Sequence, residues 1–74
     1  MTDINYKELG KQIKELRQAK GLSQLQLAYE SDTSLDTVRI IEGAKRPDIK
    51  INTLNKICNT LGIKLSVLLG KLDI

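Results

Sequence analysis

Apolar residues recur along this chain at spacings of three and four. Leu9, Ile13 and Leu16 fall at i, i+4 and i+7, one narrow stripe of a helix that begins after Asn5. Asn5 followed three residues on by Glu8 has the form of a capping box. Gly21 is the stop, because glycine takes the left-handed conformation that ends many helices, and Leu22 supplies the apolar contact that follows. A second short helix is expected from about Gln24 to Ser31, with Ser23 as cap and Gln26 as its reciprocal partner. A third runs from about Leu35 to Glu42, capped by Ser34. The four polar residues Ser31 to Ser34 form the turn between them, where Asp32 tolerates a left-handed conformation. Leu27 and Ala28 share one helical face, Val38 and Ile41 another, and the small Ala28 lets the two helices approach closely.

Gly43 to Asp48 reads as a loop, since Pro47 lacks an N–H and disfavours a helical residue before it. A fourth helix covers about Ile51 to Leu61, with Leu54, Ile57, Cys58 and Leu61 at i, i+3, i+4 and i+7 and Asn52 as one candidate cap. Gly62 ends it. Ile63, Leu65, Leu68 and Leu69 suggest a last short helix closed by Gly70, and no pattern places residues 71–74. No segment of useful length alternates strictly, so the chain is expected to be all-α.

Composition narrows the function classes. A chain of 74 residues is expected to form one domain, residues 1–74 with a core of about 6–70. It has no Trp and no Phe, so its core is built from Leu, Ile and Val. The single Cys58 excludes an internal disulfide and is expected to be a small buried hydrophobe. No apolar run approaches a membrane span, and the first ten residues lack a signal-peptide core, which points to the cytoplasm. With no His and one Cys, neither a Ser–His or Cys–His nucleophile nor a Cys/His zinc site can be assembled within the chain. No phosphate-cradling glycine loop is present. No enzyme, no cofactor, no metal and no small-molecule substrate are therefore expected.

The net charge is +3, and its distribution carries more information than its sum. Residues 1–22 set five basic side chains against three acidic ones, residues 23–43 one against four, and residues 44–74 six against two. The central helix pair is acidic, between two basic segments. Lys7, Lys11 and Lys14 read as a solvated helix face.

An ordered set of residues then resembles a known family. Leu16-Arg17, Gly21-Leu22-Ser23-Gln24, Leu27-Ala28, Ser34, Val38, Ile41-Glu42, Leu54, Ile57 and Leu61-Gly62-Ile63 resemble, at fixed spacing, the lambda-repressor-like, Cro-type helix-turn-helix domains of phage and bacterial regulators. The resemblance implies a compact five-helix DNA-binding domain whose second and third helices form the helix-turn-helix, the third entering the major groove. Carried over by position, Leu35, Asp36 and Ile40 face bases, with Thr37 and Arg39 beside them. Gln24, Ser34, Lys45, Arg46 and Lys50 are the corresponding phosphate contacts, and backbone N–H groups where Gln24 opens its helix favour an anion. Arg17 and Glu42 resemble an ion pair that ties the first helix to the end of the third. The implied partner is double-stranded DNA, bound by a homodimer as a sequence-specific regulator, most simply a repressor.

The chain departs from the family pattern in four places. Asp32 stands where a glycine is usual, and Thr33 where an apolar plug is usual. The loop places Gly43 one position early and is longer before Leu54. Leu35 and Ile40 offer only apolar contact, for example to a thymine methyl, while Asp36 can accept from cytosine but repels phosphate. These features favour an alternative: a protein-interaction module on the same fold, such as an antitoxin or anti-repressor, with Leu35 and Ile40 as anchors. An undetected catalytic role ranks last. Leu65 to Ile74 is the candidate dimer contact, or else simply closes the core.

Overall fold

A computed structural model describes residues 6–43 and 49–72. They form α1 (Tyr6–Ala19), α2 (Gln24–Glu30), α3 (Leu35–Gly43), α4 (Ile51–Leu61) and α5 (Leu65–Leu72), with no strand among the described residues. α3 packs against both α1 and α2, α4 against α2, and α5 against α1 and α4. Each helix turns its apolar stripe to one common core: Leu9 and Ile13, Leu27 and Ala28, Val38 and Ile41, then Leu54, Ile57, Cys58 and Leu61, closed by Leu68. Among the described residues no helix is long and apolar enough to cross a membrane.

Three helices stop in the same way. Gly21, Asp32 and Gly62 take φ values of 71°, 57° and 76°. The N–H of each following residue then donates to the carbonyl five residues back, Leu22 to Arg17 (3.1 Å), Thr33 to Ala28 (2.9 Å) and Ile63 to Cys58 (3.0 Å). This is the Schellman arrangement, and it satisfies carbonyls that a helix end leaves free. Leu22 and Ile63 complete it by packing on the core. Thr33 completes it with oxygen instead. Its hydroxyl lies 2.8 Å from that of the buried Ser31, which donates to the Leu27 carbonyl at 2.6 Å. A polar seal thus replaces the apolar plug at the turn between α2 and α3.

Asp32 carries the cost of that turn. A left-handed conformation is strained for a residue with a Cβ, by roughly 1 kcal/mol. Its carboxylate returns little, being 97% exposed and 3.8 Å from Lys56 Nζ. Asp32→Gly is therefore expected to stabilise the fold by up to about 1 kcal/mol, read as a higher urea midpoint with unchanged slope.

The capping box at Ser23 is present, with the Gln26 N–H donating to Ser23 Oγ (3.0 Å) and the Ser23 N–H to Gln26 Oε1 (2.8 Å). Other boundaries differ from expectation. α2 ends at Glu30, one residue earlier, and α3 runs one residue further to Gly43. α4 is preceded by Lys50, with no side-chain cap bond, so Asn52 lies inside the first turn and does not cap. α5 passes through Gly70 to Leu72. A glycine stops a helix only when it turns left-handed, and Gly70 keeps a helical φ. The expected capping residue Asn5 lies outside the described residues.

Gly10 was not singled out by periodicity, yet it is buried on the core face of α1. A Cβ built there would collide with the Ile41 carbonyl oxygen and sit 3.0 Å from that of Glu42. α1 and α3 therefore meet backbone to backbone. Cys58 is fully buried, and desolvation pushes its thiol above the ordinary range. The native thiol is expected to resist alkylation by iodoacetamide at pH 8. Its modification rate should follow the unfolded fraction, rising steeply through the urea transition.

Candidate nucleic-acid interface

α3 has two unlike sides. Val38 and Ile41 are buried, while Asp36, Arg39 and Gly43 are exposed and Ile40 is half-buried. Asp36, Arg39, Ile40 and Gly43 are three and four residues apart, so they share the outward side of the helix. Leu35, at the start, is also half-buried, and neither it nor Ile40 joins the core cluster. The outer side of α3 is thus displayed, apolar at Ile40 and charged at Asp36 and Arg39. Arg39 is the one cation of residues 23–43, and among the described residues it makes no ion pair.

Ser34 and Thr37 secure the start of this helix. Thr37 N–H donates to Ser34 Oγ at 3.0 Å, and the two hydroxyls are 2.8 Å apart. Thr37 is half-buried and turned toward its cap, whereas Ser34 is exposed. Lys50 is exposed at the entry to α4. Lys45 and Arg46 lie outside the described residues, so the expected gathering of basic side chains around α3 does too.

What fixes α3 is a network centred on Arg17. Its Nε donates to Glu42 Oε2 (2.7 Å) and its Nη2 to Glu42 Oε1 (3.0 Å), a bidentate pair between α1 and the last turn of α3. Nη1 donates to the Leu22 carbonyl at 2.7 Å. Gln24, the first residue of α2, adds a fourth bond from Nε2 to Glu42 Oε1 (3.1 Å). Only 10% of the Arg17 side chain and 3% of the Glu42 side chain are exposed. The hydrogen bonds to Glu42 hold the guanidinium above its ordinary pKa, against the opposing effect of burial. One cation therefore joins α1, the loop before α2, and the end of α3. The amide donor of Gln24, expected at a phosphate, faces Glu42. Nothing in the one-dimensional pattern signals that bond, because it depends on how α2 and α3 cross.

The helix pair, its polar turn and its brace form a recognisable unit, and the family comparison agrees. A model of the helix-turn-helix domain matches residues 8–68. The chain belongs to the helix-turn-helix family. Among solved structures, the restriction-modification controller protein C.AhdI from Aeromonas hydrophila is 31% identical, with a TM-score of 0.79 over 86% of this chain and 96% of that one. SinR, a master regulator for biofilm formation solved in complex with DNA, is 28% identical, with a TM-score of 0.77 over 82% of this chain and 97% of that one. The clp gene regulator ClgR from C. glutamicum shares the fold at 19% identity, with a TM-score of 0.79 over 100% of this chain and 97% of that one. No curated protein sequence matches the chain. In this helix-turn-helix protein, α2 and α3 are the motif, and α1, α4 and α5 are the frame that presents it.

Proposed function

We propose that this chain is a sequence-specific DNA-binding transcriptional regulator that lays α3 in the major groove. The observation that carries this reading is the outward stripe Asp36, Arg39, Ile40 and Gly43, on a helix whose opposite side is buried and whose end is braced by Arg17. The relative solved on DNA is 28% identical across most of both chains, which supports the same use of the fold. In this reading Arg39 donates to a guanine edge, Asp36 accepts from cytosine N4, and Ile40 and Leu35 touch thymine methyls, with Thr37 at the flank. Ser34, Gln24, Lys45, Arg46 and Lys50 are the proposed phosphate contacts, which set register without reading sequence.

A cytoplasmic homodimer fits this role, with α5 as its contact. Val67 on that helix is 48% exposed while Leu68 is buried. Two recognition helices would then read half-sites about 34 Å apart. A monomer by sedimentation at high protein concentration removes the dimer.

Selection from a random-sequence duplex pool at moderate salt tests the main reading. The wild type is expected to enrich one motif, with affinity falling steeply as salt rises. Arg39→Ala should lose preference at one position, by about 1–3 kcal/mol there, while Arg46→Ala weakens all duplexes alike. Enrichment of no motif by the wild type contradicts the proposal.

A second reading, a protein-interaction module, is favoured by exposed apolar side chains. Within the helix pair they are Leu25, 63% exposed, and Tyr29, 85%, four residues apart on α2 beside Glu30 and Asp32, while the expected anchors Leu35 and Ile40 are half-buried. Under this reading Tyr29→Ser abolishes partner binding. Under the DNA reading it leaves duplex affinity unchanged.

A further inference from the structure

Gln24 connects the brace to the face that would meet DNA. It opens α2, is half-buried, and donates from Nε2 to Glu42 Oε1 at 3.1 Å. An ionised carboxylate only accepts hydrogen bonds, so this bond decides which way the glutamine amide is turned. The same Glu42 oxygen accepts from Arg17 Nη2 at 3.0 Å, and Arg17 Nε holds the other oxygen at 2.7 Å. With only 3% of its side chain exposed, Glu42 is gripped from α1 and is a fixed point for Gln24. An amide nitrogen carries two hydrogens. One is committed to Glu42, and the other remains for an acceptor outside the protein.

We infer that Glu42, held by Arg17, is a positioning residue for a phosphate contact made by Gln24. One amide hydrogen stays on Glu42 while the other reaches a phosphate oxygen. This deepens the DNA-binding reading and rests on it. A free glutamine side chain loses rotamer freedom when it engages a ligand, and fixing it beforehand removes that loss. The brace at the end of the recognition helix and a backbone contact at the start of α2 then act as one unit. Their effects on affinity are coupled rather than additive.

The test uses the full chain and the tightest duplex that the wild type selects from a random pool. Binding is measured for the wild type, Gln24→Ala, Glu42→Gln and the double variant, at a temperature where melting curves show all four folded. Glu42→Gln keeps the size of the side chain but removes its charge and sets an amide NH2 against Arg17 in place of one acceptor oxygen, so the two-oxygen grip that fixes the acceptor for Gln24 is lost. Gln24→Ala is expected to weaken binding about five- to tenfold, the worth of one such hydrogen bond. The salt slope should not change, because a neutral amide releases no counterion. In the Glu42→Gln background the same substitution is expected to cost less than about twofold. Equal losses in both backgrounds, or none in either, overturn the inference.

A measurement on the wild type covers the case in which Glu42→Gln does not fold. On adding duplex, one of the two Gln24 side-chain amide proton resonances is expected to shift while the other keeps its position. Movement of both or of neither overturns the inference. A wild type that binds no duplex in a salt-dependent way is a separate outcome. It removes the DNA-binding reading itself, and the inference falls with it.

Discussion

Gly10→Val is expected to destabilise the fold by about 3 kcal/mol or more. α1 meets α3 at this glycine, where a Cβ would strike the Ile41 carbonyl oxygen and crowd that of Glu42. Both obstacles are backbone, so no side-chain rotation relieves them. The helices must separate, which opens the core around Ile13 and Ile41 and pulls Glu42 away from Arg17. Overpacking typically costs about 1–3 kcal/mol, and a backbone collision with a branched side chain falls at or above the upper end. A domain of this length holds roughly 4–11 kcal/mol in total. Gly10→Ala separates the opposing effects. Alanine gains about 1 kcal/mol of helix propensity over glycine, yet the collision remains, so the net change should still be a loss. Thermal melting checks both. A Gly10→Ala protein more stable than the wild type would show that the α1–α3 contact is looser than described.

The second large effect is expected at Arg17. Arg17→Ala strands the Glu42 carboxylate, 3% exposed, without its bidentate partner. Removing one member of a buried pair costs about 3–5 kcal/mol, because the other charge stays buried and uncompensated. Glu42→Ala should cost a similar amount by stranding the guanidinium. The double change Arg17→Met with Glu42→Leu removes both charges and fills the space. It is expected to be more stable than either alanine variant and can approach the wild type. Urea unfolding of the four proteins measures this. If the double variant loses as much as the two single losses combined, the two residues act independently and the brace between them is contradicted. The same double variant should bind DNA poorly even when folded, since the last turn of α3 and Gln24 lose their shared anchor.

Much of this architecture is legible in the sequence, for identifiable reasons. The end of α4 could be placed because Leu54, Ile57, Cys58 and Leu61 keep strict helical spacing and Gly62 follows at once, whereas the candidate cap Asn52 did not mark its start. The turn at Asp32 could be placed because few residue types accept a positive φ. The end of α5 could not. Gly70 is a stop only if its φ is positive, and neighbouring residues do not announce that. Gly10 is a tertiary fact, visible only when α3 lies across α1, although a glycine inside a periodic helical segment is a cue to a close approach. Lys50 at the start of α4 shows that a helix held by its apolar face can begin without a side-chain cap. On the candidate interface, helical period alone sorts Asp36, Arg39 and Ile40 from Val38 and Ile41. It does not reveal that Gln24 turns toward Glu42, because those residues lie on different helices.

The acidic character of the central helices also becomes easier to understand. Glu42 is enclosed by Arg17 and Gln24, so it does not confront DNA as a free charge. Asp32 lies at the turn, and Glu30 is exposed on α2, away from the stripe on α3. Of the acids in residues 23–43, Asp36 alone sits on the outward side of the recognition helix. There a carboxylate can be useful, as an acceptor for cytosine.

Amide chemical-shift mapping with the selected duplex tests the central claim most directly. The account predicts the largest changes at Asp36, Arg39, Ile40 and Gly43, with a second group at Ser23 and Gln24 and little change at Val67. Changes centred on Leu25 and Tyr29, or spread evenly over the surface, would contradict it.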